Sequence, residues 1–225
     1  MDMIKELHSV KRNLILVLYY SILQRLPNQP MPGWGVSQKL RGWAVKNVLK
    51  SCGRGVRVKD HCYFGDGSRL VVGDRSALGV RSTFNGTITI GEDCNMGPGV
   101  VMMAGSHETS AIDKPINMQG AKSDKPIVIG DDCWIGTKVV IMPGVHVGDR
   151  VIIGAGSIVR CNIPHYAIVA GNPAKIVGFR FTPEEIEEYE SALPEEKRHN
   201  IGKIKKAYDK YYFNRKEQIA DYLRL

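Results

Sequence analysis

His107 is the residue whose surroundings best suit chemistry. It stands in MMAGSHET (102–109), where an apolar, glycine-punctuated stretch gives way to a polar one. An imidazole exchanges its proton near neutral pH, so it can remove the proton of a hydroxyl there and later return it. The other histidines carry less: His61 and His146 read as exposed corners, and His8, His165 and His199 fall in no recognisable site. Five cysteines, Cys52, Cys62, Cys94, Cys133 and Cys161, make an odd set without a Cys-x-x-Cys pair. That argues against a disulfide framework or a zinc knuckle and for a reducing, cytoplasmic setting; no metal is expected.

What positions His107 is a six-residue period. From Val72 the chain reads VGDRSA, LGVRST, FNGTIT, IGEDCN, MGPGVV, MMAGSH, and from Ile129 it reads IGDDCW, IGTKVV, IMPGVH, VGDRVI, IGAGSI, VRCNIP. VKDHCY and FGDGSR (58–69) fit as well, with a two-residue slip before Val72. Each block opens on Val, Leu, Ile, Phe or Met. Such a repeat predicts an all-β solenoid: three short strands close a triangular coil, and coils stack at strand spacing, about 4.8 Å. First-position side chains build the core. The frequent second-position glycine suits turns that need an unusual backbone. Fifth positions must be small or β-branched, which makes Cys62, Cys94 and Cys133 core filler.

The period breaks between Met102 and Ile129, so roughly residues 108–126 loop out, with His107 at the root. A polar loop of that length on a rigid scaffold is commonly functional. Solenoid ends need caps. The N-terminal arm, 1–52, reads as helices over about 3–26 and 36–50; the coil occupies 53–178; the tail, 179–225, forms a helical cap. Within that tail Thr182-Pro183-Glu184-Glu185 is a capping box that starts a helix, and a second helix covers 200–222.

Charge is concentrated. Residues 1–58 hold ten Lys/Arg against Asp2 and Glu6, whereas the rest of the chain is balanced, so this segment carries the whole net charge of +8. An anionic membrane surface, a polyanionic acceptor and a solvated basic face all fit. No nucleic-acid-binding motif accompanies the charge, so nucleic acid is not an expected partner. The apolar run Leu14–Leu23 is too short to span a bilayer. Residues 1–26 could lie on a membrane as an interfacial helix. Because apolar residues occupy nearly all faces of that run, packing on its own solenoid or on a neighbouring subunit is the favoured reading.

The stretch KPIVIGDDCWIGTKVVIMPGVHVGDRVIIGAGSIVRCNIPHYAIVAGNPAKIVGFRF (125–181) resembles the galactoside, maltose and xenobiotic acetyltransferases and the capsule-type sugar O-acetyltransferases. The tail FRFTPEEIEEYE looks more like the capsular and exopolysaccharide members. The resemblance implies a left-handed parallel β-helix, acetyl-CoA as co-substrate, and a homotrimer with active sites between subunits. It implies His107 as general base and the amide or hydroxyl of Thr137 as oxyanion donor. It places Trp134, Gly154, Ala155, Arg160 and Lys175 along the acetyl-CoA and Asn85 near the acceptor, although Trp134 and Asn85 also read as plain turn residues. Where the family often has Thr-Lys, this chain has Arg160-Cys161, which leaves the phosphate contact open.

The activity implied is O-acetylation of a carbohydrate acceptor in capsular or exopolysaccharide biosynthesis. A small-molecule (xenobiotic) acetyltransferase is the alternative. The γ-class carbonic anhydrases share this fold but need a pair of histidines five apart, which is missing here. An inactive scaffold fits poorly with the joint presence of His107, the loop and the acetyl-CoA-side motif. Serine acetyltransferase would bring a large helical N-terminal domain that the chain lacks.

Overall fold

The computed structural model describes residues 2–223, with side chains for 9–212. The hexads form a left-handed parallel β-helix. Its first face stacks strands 51–52, 70–72, 88–90, 127–129 and 146–147. The second face runs from 57–58 through 77–78, 95–96, 134–135 and 152–153 to 167–170, where strand 175–179 folds back antiparallel. The third face carries 83–85, 101–103, 140–141 and 158–159. Register holds across the long insertion: Val101 pairs with Val140 and Ile90 with Ile129, as if the chain between were absent.

First positions from Val72 to Met102 and from Ile129 to Val159 are all buried, as are Cys62, Cys94 and Cys133. The fifth-position rule fails at Ser68 and Ser106, both exposed; they mark the two-residue slip and the root of the excursion. Buried fifth-position hydroxyls are satisfied between coils: Ser76 Oγ donates to the Gly91 carbonyl (2.7 Å) and accepts from the Cys94 amide (2.9 Å).

The reason for second-position glycine differs from the expectation. Gly97 and Gly136 do not adopt the left-handed backbone; they are needed because coils touch there. A Cβ on Gly97 would lie 2.7 Å from the Thr137 nitrogen, and one on Gly136 2.6 Å from the Ala155 nitrogen. The left-handed residues sit at fourth positions instead, including Arg75, Arg81, Asp93, Asp132, Lys138 and Arg150. Such a conformation costs about 1–2 kcal/mol for a residue with a Cβ. Hydrogen bonds between coils offset it: the Lys138 amide donates to the Pro98 carbonyl (2.8 Å) and that of Arg150 to Asp131 (2.7 Å).

Helices α1 (Asp2–Ser21) and α2 (Trp34–Val48) close the N-terminal end. Tyr19 donates to the Cys62 carbonyl (2.9 Å), and fully buried Arg41 donates to Val58 (2.9 Å) and Leu26 (3.0 Å), capping the first coil's open edge. Within the chain the apolar run in α1 is buried on one side. Ile15, Tyr19 and Leu23 are buried, while Leu14 and Val17 are 65% and 64% exposed. Helix α3 (Pro183–Ala192) starts on the expected capping box, and α4 spans Ile201–Leu223. No described helix is long and apolar enough to cross a membrane.

Candidate active site

The excursion is a built element. Ser106 and His107 pair antiparallel with Lys122 and Ala121, and the Glu108 amide donates to the Gly120 carbonyl (3.0 Å). At the tip, the Gln119 side chain bridges Ala111 and Lys114 (2.7–2.9 Å). At the return, Asp124 accepts from the Thr87 amide (2.8 Å), the Thr87 hydroxyl (2.9 Å) and Arg69 (2.9 Å). Gly86 permits this approach, since a Cβ there would meet Asp124 Oδ2 at 2.9 Å and its φ is +91°. His107 is therefore held on a short ladder with its side chain exposed. Asn85 lies one coil below, and its carbonyl accepts from the Ala104 amide (2.8 Å), three residues before His107.

The corner between the second and third faces has another character. At the corner between the first and second faces, third-position amides are capped by carboxylates: Glu92 and Asp131 donate to Asp131 and Asp149 side chains (2.7 and 2.8 Å). At the second corner the third positions after Asp60 in the first coil are Val80, Pro98, Thr137 and Ala155, none of them acidic. The Thr137 and Ala155 amides have no acceptor among the described residues, and both residues are exposed. Small side chains and free N–H groups make a shallow groove able to hold an extended amide-containing chain and a developing oxyanion. Trp134, 57% exposed on the second face, flanks it.

Of the residues singled out from the sequence, the fold brings Asn85 to the root of His107, and Gly154 and Ala155 alongside Thr137 on the next coil. It does not join the two groups within one chain. His107 follows a third-face strand, whereas Thr137 precedes one, so the face separates them. Arg160 is exposed after strand 158–159, and Lys175 is exposed opposite Ala170. Beside them a cavity of about 710 Å³ is lined by Cys161, Lys175 and Tyr211 among others.

One cluster escaped the sequence reading. His199 places Nε2 2.7 Å from Asp149 Oδ2 and Nδ1 2.8 Å from Glu190 Oε1, and its ring lies 4.0 Å from that of His165. Burial pushes the His165 imidazole down, helped by the charge of His199. Burial raises the Glu190 carboxyl, but hydrogen bonds from Tyr166 and His199 outweigh it and hold it below its ordinary value. The signal was faint: 50 residues separate Asp149 from His199, and no spacing rule links them.

Comparison with known proteins agrees with this architecture. The bacterial transferase hexapeptide pattern (six repeats) matches residues 126–161, and the hexapeptide repeat of succinyl-transferase matches 69–104. The galactoside O-acetyltransferase of Escherichia coli (strain K12) is 33% identical over 135 residues, 59% of this chain and 65% of that protein, so under two thirds of its length is spanned. A maltose O-acetyltransferase from Clostridium difficile 630 superposes with a TM-score of 0.63 at 25% identity, covering 79% of this chain and 90% of that one. A galactoside acetyltransferase in complex with coenzyme A gives 0.63 at 27%, covering 79% and 84%. Its hexad register and handed coil are those of the hexapeptide-repeat fold, and the chain is similar to galactoside and maltose O-acetyltransferases built on it.

Proposed function

We propose that the chain moves an acetyl group from acetyl-CoA to a hydroxyl of a sugar or glycan in capsular or exopolysaccharide assembly, acting as a cytoplasmic homotrimer. The observation that carries this reading is His107, exposed on the ladder at the foot of a pinned excursion. His107 takes the acceptor hydroxyl's proton as its oxygen attacks the thioester carbon. The tetrahedral oxyanion is met by the open Thr137 amide. The carbon–sulfur bond then breaks, and the imidazolium returns its proton to the leaving thiolate.

The groove at Gly154 and Ala155 suits a pantetheine chain: a Cβ at the neighbouring Gly156 would meet nothing within 4 Å, so the floor is open. Trp134 flanks that chain, Arg160 and Lys175 meet its phosphates, and Asn85 orients the acceptor. Because His107 and Thr137 occupy different corners, a neighbouring chain completes each site, and a threefold arrangement closes the ring. A small-molecule acceptor is the second reading; turnover of acetyl-CoA against a panel of nucleotide sugars, glycan repeats and small amines and alcohols decides between them. The central test is His107→Ala. It should lower kcat by about two to four orders of magnitude, or roughly 3–5 kcal/mol, with CoA affinity unchanged. Full activity in the variant overturns the mechanism.

A further inference from the structure

The N-terminal cap exposes an apolar stripe that the solenoid does not need. On α1, Val10, Leu14 and Val17 are exposed on the side away from buried Ile15 and Tyr19, and Leu18 is exposed beside them. Trp43 of α2, 48% exposed, meets the stripe, and together with Val10, Lys11, Leu14, Ile15 and Leu18 it lines a cavity of about 500 Å³. Leu40 and Val36 continue the apolar surface one and two helical turns before Trp43. The buried faces of both helices lie against the first coil, which leaves this stripe uncovered by the described residues.

Trp43 also borders a second groove of about 750 Å³, between α2 and the first coil. Its charged lining is Lys39, Lys46, Arg54 and Arg57, with no carboxylate. Arg54 is held by Asp74 at 3.1 Å, which leaves Lys39, Lys46 and Arg57 facing solvent. An apolar stripe that shares an indole with a cationic groove is the layout of an interfacial membrane segment. There the indole sits at headgroup level, apolar side chains enter the acyl boundary and cations meet lipid phosphates.

We propose that this end of the molecule docks on an anionic lipid surface. Charge complementarity selects that occupant over a second copy of the chain. Residues 1–58, the arm and the start of the first coil, hold the protein's entire net charge of +8, so two copies meeting face to face would set like charges together. Docking would leave the corner carrying His107 to one side of the solenoid, open to an acceptor anchored in the same membrane. The surface itself stands independently of the reaction.

The test is sedimentation of the full-length protein with phosphatidylcholine vesicles, with and without phosphatidylglycerol, at low and high salt. Binding should need the anionic lipid and weaken with salt. Leu14→Ser and Val17→Ser should each lower the partition constant about tenfold or more. Lys39→Gln and Lys46→Gln should each lower it about fivefold. All four positions are exposed, and circular dichroism and turnover on a soluble acceptor should be unchanged. Absence of binding by the intact protein overturns the proposal. So does a Leu14→Ser, Val17→Ser protein whose mass in light scattering drops to that of a smaller oligomer, which would make the stripe a subunit contact. Because vesicle binding needs no turnover, failure here leaves the acetyl-transfer reading standing.

Discussion

His199 stands between two carboxylates, its Nε2 2.7 Å from Asp149 Oδ2 on the solenoid and its Nδ1 2.8 Å from Glu190 Oε1 on the cap helix. Glu190 is fully buried and also accepts from the Tyr166 hydroxyl and the His199 amide. One imidazole thereby fastens the C-terminal cap to the last coils. His199→Ala removes the imidazole's contacts with Glu190 and Asp149 while the Tyr166 hydroxyl and the residue-199 amide remain, which should cost about 1–3 kcal/mol and lower the melting temperature by roughly 2–12 °C. A calorimetric scan with an unchanged midpoint would show that the contact contributes nothing.

The same cluster sets an acid limit. His165 has a lowered pKa, so the unfolded chain binds its proton more readily; stability is complete above about pH 6.5 and falls as pH drops toward the folded value. Glu190 is also depressed, so its contribution is lost at lower pH, below the ordinary glutamate range. The groups facing the pair are Asp149, Arg150, Tyr166 and His199. Melting temperatures from pH 8 to 4 should decline in two stages, and His165→Gln should flatten the first. An identical slope in that variant would remove His165 from the account.

Asp124 pins the excursion's return to Arg69 and Thr87. Asp124→Ala should cost about 1–3 kcal/mol through the orphaned Thr87 amide. It should also lower kcat/KM by about tenfold or more, because His107 sits on the strand that the return strand holds. Shortening the tip within 109–119 should leave the melting temperature nearly unchanged. A tip deletion that unfolds the protein would mean that the excursion belongs to the core.

Separation of His107 and Thr137 by one face of the coil predicts complementation. His107→Ala chains and Ala155→Trp chains, each inactive alone, should regain activity when unfolded and refolded together, up to about a quarter of the wild-type rate for random mixing in a ring. Failure to recover any activity from well-formed mixed oligomers would place the whole site within one chain.

The hexad made the coil, its apolar stack and the gap at His107 legible, because inward side chains recur at a fixed interval and a break in that interval has to leave the coil. The Thr182–Glu185 capping box was legible for a similar reason, being a local hydrogen-bond pattern four residues long. The sequence did not show why second positions are glycine, since the constraint comes from the next coil, 16 or more residues away. Nor did it show which side of α1 stays uncovered: apolar residues surround the helix, and only docking on the first coil leaves Leu14 and Val17 outside while burying Ile15 and Tyr19. His199 meeting Asp149 and Glu190, and the placing of His107 and Thr137 at different corners, likewise required the folded chain. Periodicity determines what repeats along the coil, and the stacking of coils and caps determines what meets across it.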